Sequence, residues 1–327
     1  MVTSWFNRAM SARAESAAAS RESPAAAQAP NGIAPTLAEL VALRAAVLGR
    51  GVARRGRYGT SGPAASSLRG RGMEYAESRD YVAGDDARHI DWRVTARTGR
   101  AHTKVFQAER ERMTLIVADT APSLYFGTRV RFKSVQAARA GAIAAWRAVR
   151  DGDRIAALRG TAHEAPVPPG TGPRAALRVL DALTRWYARP PADDAGLDVA
   201  LDHAARLLRP GARLVALCDP ASALQITMQR WTALAAHHEV VLVLLTDPLE
   251  LAPPASTLAF RSGDERVELH LDNAAQRARW RQRFVTPVDT LSEQLPLRGV
   301  RVHALSTDSP SDAWLSTLDA PRRIAAR

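Results

Sequence analysis

The sequence predicts an α/β fold with a doubly wound, mostly parallel sheet, and three observations predict it. Apolar runs of strand length recur at 113–118, 154–158, 213–218 and 239–245. Segments with apolar residues three and four apart alternate with them, at 132–149, 173–187, 197–208 and 221–237. That alternation is the pattern of parallel βα units under a common sheet. Hydrophobic residues make up 46% of 327 residues, enough to bury the core such a sheet requires.

The elements follow in order. Residues 1–34 are Ala, Ser and Pro with scattered charge, a composition expected to be disordered. Thr36-Leu37-Ala38-Glu39 has the form of a capping box and opens an amphipathic helix, which Gly49 or Gly51 ends. Residues 50–72 are rich in Gly, Arg and Ser without periodicity and read as a linker. The division expected is therefore a tail (1–34), a helix, linker and charged segment (35–112), and an α/β domain (113–327). Within that domain, 256–271 reads as a small β-hairpin insertion around Ser262-Gly263-Asp264-Glu265. A helix over 273–294 carries Pro287 as a kink or break. A strand at 300–305 and a short helix end the chain.

Composition narrows the function. The single cysteine, Cys218, excludes an internal disulfide framework and any all-cysteine metal site, and reads as a small buried core residue. No apolar run approaches the roughly 20 residues of a membrane span. The first 27 residues are too interrupted by charge to form a signal peptide. A cytoplasmic protein without membrane insertion is expected. The net charge is +12, and residues 44–112 hold 15 basic against 8 acidic side chains, so +7 of the excess lies there. Such a surface suits phosphates or an acidic protein. No nucleic-acid-binding motif accompanies it, so nucleic-acid binding is not the expectation.

Two places could carry chemistry. Asp119 and Asp219 each end a predicted parallel strand, where open α/β sheets place their ligands. With Ser123 they could converge on a hard cation such as Mg²⁺. They could equally cap the helices that follow. The second place is 70–106, where Glu74, Glu77, Asp80, Asp85, Asp86 and Asp91 interleave with Arg79, Arg88, Arg93, Arg97 and Arg100. Gly84 suggests a tight turn before the paired aspartates. Arg–carboxylate forks could hold an irregular loop in one shape, pinned under Trp92, or present a docking surface. The many arginines would keep these carboxylates ionised, which argues against a general acid.

The string Tyr81-Val82-x-Gly84-Asp85-Asp86-x-Arg88-x-Ile90-Asp91-Trp92, followed by Ala96-Arg97, resembles the signature of the bacterial Domain of Unknown Function 58 family. So do Phe106-x-x-Glu109-Arg110, Phe126-Gly127, Lys133, Gly152-Asp153-Arg154 and Asp247-Pro248-Leu249-Glu250. The resemblance covers about residues 36–318. It implies a von Willebrand factor A-like, Rossmann-like domain with the signature segment as an added N-terminal element. It also implies work alongside MoxR-type AAA+ ATPases, in a chaperone-like or assembly role. The metal site of von Willebrand A domains follows Asp-x-Ser-x-Ser, a Thr on a second loop and an Asp on a third. Here Asp119, Ser123 and Asp219 match, while Ala121 replaces a Ser and Ala195, within Asp193-Asp194-Ala195-Gly196-Leu197, replaces the Thr. A degenerate site is implied, with Mg²⁺ or Mn²⁺ bound weakly, on the order of 1 mM.

The function expected is a non-enzymatic, protein-binding adaptor that requires no cofactor. Its partner-binding or signature residues are Gly84, Asp85, Asp86, Arg88, Asp91, Trp92 and Arg97. Two rivals remain. One is a metal-assisted hydrolase at Asp119 and Asp219, with His163 or His203 as base. The other is a nucleic-acid binder using the arginines of 50–71.

Overall fold

The computed structural model describes residues 32–49, 69–107, 112–262 and 265–319. Residues 1–31 of the tail predicted for 1–34 and 50–68 of the linker predicted for 50–72 lie outside them, while residues 69–72 of that linker form the start of a strand. The chain divides into two compact units.

The first unit opens with α1 (Leu37–Ala42) and α2 (Arg44–Gly49). The Thr36 hydroxyl accepts from the Glu39 N–H at 3.3 Å, one half of the predicted capping box. Glu39 does not complete the box, because its carboxylate pairs with Arg139. Leu40 and Val47 are fully buried in the core of the α/β unit. The helix therefore belongs with that unit, and not with the signature segment beside which the sequence places it.

The second unit holds β1 (Arg69–Asp80), α3 (Trp92–Thr98) and β2 (His102–Gln107). The two strands form an antiparallel ribbon with register shifts along β1. An irregular loop was expected here. The segment interleaves charged residues with few apolar ones, so it shows no apolar alternation to read, and the strands were not visible in the sequence.

The α/β unit continues with β3 (Met113–Ala118), α4 (Lys133–Arg150), β4 (Arg154–Arg159), β5 (Val167–Gly170), α5 (Gly172–Ala188) and α6 (Gly196–Leu207). It goes on through β6 (Arg213–Cys218), α7 (Pro220–Gln225), α8 (Met228–His237), β7 (Glu239–Thr246) and α9 (Pro248–Leu251). The hairpin β8 (Thr257–Ser262) and β9 (Glu265–His270) follows as predicted. Then come α10 (Ala274–Trp280), α11 (Thr286–Gln294), β10 (Arg301–Ser306) and α12 (Leu315–Asp319).

The sheet order is β10-β7-β6-β3-β4-β5, parallel except for β5 against β4. Both faces are covered. Ile116, Val215 and Val243 point to one core, while Leu115, Leu214 and Leu242 point to the other. That alternation along fully buried strands makes the sheet doubly wound.

Three elements depart from prediction. The β5 strand is not among the predicted strands, since it contains Pro168-Pro169, yet prolines are tolerated at a sheet edge. The helix expected over 221–237 divides into α7 and α8, with Thr227 capping the second half. The predicted break near Pro287 takes the form of a π-helical turn, Arg281–Val285, immediately before α11. Among the described residues no helix is long and apolar enough to cross a membrane.

Candidate functional site

The chain order of the sheet reverses between β3 and β6, and a crevice forms beyond the carboxyl ends of strands at such a point. Asp119 and Asp219 stand directly after these two strands, 1% and 5% exposed. The Asp119 N–H donates to the Leu217 carbonyl at 2.9 Å, and the Asp119 carboxylate accepts from the Asp219 N–H at 3.0 Å. The other Asp119 oxygen accepts from the Ala121 N–H at 3.0 Å. Asp219 caps α7 through the Ala221 N–H at 2.9 Å. Ser123 bonds to the Asp219 carboxylate and Ser222 to that of Asp119. The three residues predicted to converge are therefore brought together, and both aspartates also bind the backbone that follows them.

A cleft of ≈ 540 Å³ opens in front of them. Ala121, Pro122 and Ser123 line one side, Ala195 to Asp198 a second, and Ala221, Ser222, Gln225 and Ile226 a third, with Arg283 from the π-helical turn. The loop matched to the second metal-site loop thus faces the same cleft. Its aspartates point elsewhere. Asp193 accepts two bonds from Arg159 at 2.9 Å and one from Thr161 at 2.6 Å, and Asp194 accepts from Thr120 at 2.8 Å. Gly160 permits this packing, since a Cβ there would stand 2.0 Å from the Gly196 carbonyl oxygen.

Behind the cleft lies a group that the sequence reading did not assemble. Lys133, the first residue of α4, is 1% exposed. Its ammonium donates to Asp219 at 2.8 Å and to Glu250 at 2.7 Å. The second Glu250 oxygen accepts from the Asp247 N–H at 3.0 Å, completing a capping box on α9. Asp247, fully buried, accepts from the Thr128 and Thr307 hydroxyls at 2.6 and 2.8 Å. Lys133 and the Asp247-to-Glu250 motif, noted only for their family resemblance, thus meet in one network. A lysine in the first turn of a helix opposes the helix dipole, and that was the available signal.

Charge state follows from burial and pairing. Burial pushes the Asp119 carboxyl up to about 7, against its backbone donors, and the neighbouring Asp219 charge adds to the rise. Burial likewise pushes Glu250 up to about 7 despite the Lys133 ammonium. Asp219 is buried too, but Lys133 holds it below the usual carboxylate range. The two carboxylates hold Lys133 protonated against its own burial.

The donor set fits a divalent ion poorly. Mg²⁺ wants near-octahedral oxygen ligands at 2.0–2.1 Å. All four oxygens of Asp119 and Asp219 already accept from an N–H group. Ala121 and Ala195 supply no side-chain oxygen. Among the described residues, no group of three or more His, Cys, Asp or Glu side chains is placed to hold a metal ion. His163 and His203 are not among the residues lining the cleft.

In the signature unit the residues divide into two sets. Asp91 is 8% exposed, accepts from Ser78 at 2.8 Å, and caps α3 through the Arg93 and Val94 N–H groups at 3.2 Å. Asp85 accepts from Arg79 at 2.7 Å and from the Val82 N–H at 3.0 Å. These bonds hold both carboxyls below their usual range, Asp91 through Ser78 foremost and Asp85 through Arg79. Asp86 caps a 3-10 turn through the Arg88 N–H at 3.0 Å. Gly84 has φ +108°, the predicted tight turn. The second set faces solvent. The Arg88 side chain is 90% exposed, Trp92 is 70% exposed, and Arg97 is exposed. The expected anchor under Trp92 is therefore wrong. The N-cap geometry of Asp91 turns the first helical residue outward, and Asp91 itself anchors the segment.

The family described as "Protein of unknown function DUF58" matches residues 77–292, more than half of the chain. Uncharacterized proteins of Mycobacterium bovis and Mycobacterium tuberculosis are 34% identical over 186 residues. The matched part is 57% of this chain and spans 58% of the length of these curated relatives. The signature string and the strand-end residues both fall inside the family match, and the chain belongs to the DUF58 family.

Proposed function

We propose that this chain is a non-enzymatic protein-binding adaptor on a von Willebrand factor A-like scaffold, working with a MoxR-type AAA+ ATPase in a chaperone-like or assembly role. The order β10-β7-β6-β3-β4-β5, with an antiparallel edge strand, supports the scaffold reading. The ATPase partnership rests on the family resemblance. One observation carries the adaptor reading: the signature segment spends its aspartates on its own backbone and turns Arg88 and Trp92 outward. Tryptophan and arginine are among the residue types enriched at the hot spots of protein interfaces.

The hydrolase reading lacks a complete set of groups. Asp119 is bonded to two backbone N–H groups at 1% exposure, and the cleft lining includes no histidine. Among the described residues lining the cleft there is no histidine, cysteine or lysine to act with the serines as base or nucleophile. Co-purification of the chain with a MoxR-type ATPase from the same cell tests the proposal. A complex weakened by Arg88→Glu supports it. Ester, phosphate or peptide hydrolysis that Asp119→Ala abolishes would replace it.

A further inference from the structure

The strand-end carboxylates, the missing hydroxyls and the buried ammonium raise one question: what neutralises this site. We infer that Lys133 is its resident cation, tethered at the start of α4, and that it excludes the divalent ion that the aspartates would otherwise gather.

The position of the ammonium is built, not incidental. The Lys133 N–H donates to the Phe126 carbonyl at 2.8 Å and closes the loop ahead of α4. That loop turns tightly at Gly127, where a Cβ would stand 2.1 Å from the Arg131 carbonyl oxygen. The side chain then runs inward, and two carboxylates meet its tip at hydrogen-bond distance. A buried ammonium is stable only when paired in this way, and breaking such a pair leaves an uncompensated buried charge. An amine has three donors, and two here go to carboxylates.

The consequence for metal is electrostatic and geometric together. Asp219 is the aspartate that would join Asp119 and Ser123 around an ion. Its Oδ2 is held by Lys133 at 2.8 Å and its Oδ1 by the Ala221 N–H at 2.9 Å. A divalent cation bound to the same carboxylate would lie a few ångströms from a fixed positive charge, with little solvent to screen it. The lysine thus supplies permanently the charge that an ion would supply reversibly. A face built this way stays in one state whatever the free Mg²⁺ level. The inference concerns the ion and stands whether or not a protein docks there.

Mn²⁺ and Mg²⁺ titration of the full chain tests it, read by calorimetry, by Mn²⁺ electron paramagnetic resonance and by thermal melting. The wild type should show no saturable binding up to about 10 mM, roughly tenfold beyond weak protein sites, and the same melting temperature with and without a chelator. Lys133→Met keeps the apolar stem and removes the charge. It should melt lower and gain a Mn²⁺-dependent rise in melting temperature, since a ligand that binds only the folded state stabilises it. Adding Asp219→Asn to Lys133→Met should remove that rise. Saturable binding by the wild type that Asp219→Asn abolishes would overturn the inference. So would a folded Lys133→Met with no more Mn²⁺ affinity than the wild type. Should Lys133→Met fail to fold even with Mn²⁺, the wild-type titration decides alone.

Discussion

At the residue scale, neighbours in the signature string have opposite duties. Asp91 holds the segment together, so Asp91→Ala should lower the melting temperature by removing the α3 cap and the Ser78 bond. Asp91→Asn should recover part of the loss. Trp92 stands at 70% exposure, and Trp92→Ala should change stability by less than about 0.5 kcal/mol. Its effect should appear in partner affinity instead. A fall in melting temperature comparable with that of Asp91→Ala would show that Trp92 packs against something that this structure leaves open. The sequence could not separate the two roles. Helical phase decides which residue turns inward, and that phase is set by an N-cap that the surrounding charges conceal. Lys133 was visible as a residue, but its partners lie 86 and 117 positions away, beyond any local pattern.

At the scale of elements, the strand-end loops depend on close backbone approach. Gly127→Ala would push a Cβ into the Arg131 carbonyl oxygen 2.1 Å away. The oxygen belongs to the main chain and a Cβ is fixed in place by its own Cα, so neither can swing aside. A destabilisation of about 1–3 kcal/mol is expected, measured by denaturant unfolding. Loss below about 0.5 kcal/mol would mean that the loop shifts freely, and the account of how Lys133 is positioned would weaken with it. Gly160→Ala should act similarly on the second loop. Elements were legible where burial imposed a pattern. The central parallel strands showed as apolar runs because helices cover both faces. The edge strand β5 and the signature ribbon were not legible. Pro168-Pro169 conceal the first, and charge on the second removes the alternation that a half-buried strand would show.

At the scale of the whole molecule, buried charge sets the pH response. Asp119 and Glu250 are raised from 3.8 and 4.5 to about 7 in the fold. The folded state therefore binds more protons than the unfolded chain between about pH 4 and 7. Their stabilising contribution is complete below about pH 4 and is lost as pH rises through about 7. Asp219, Glu164 and Asp319 are shifted down, so their contribution is lost on acidification. Thermal melting should peak in mildly acid solution and fall toward pH 8, and Asp119→Asn should flatten the alkaline limb. A melting temperature that climbs steadily from pH 5 to pH 8 would contradict this account of the buried carboxylates. The overall plan, parallel α/β with a hairpin insertion, was legible in the sequence, whereas the way the strand-end site is neutralised depended on long-range packing. The adaptor proposal requires that the signature face bind a protein partner without the help of a metal. Calorimetric titration with a purified MoxR-type ATPase, with and without a chelator, checks this. The account predicts saturable binding that the chelator leaves unchanged and that Arg88→Glu weakens about tenfold or more, the loss of one interface hot spot, at an unchanged melting temperature. Absence of binding, or binding that the chelator abolishes, would contradict it.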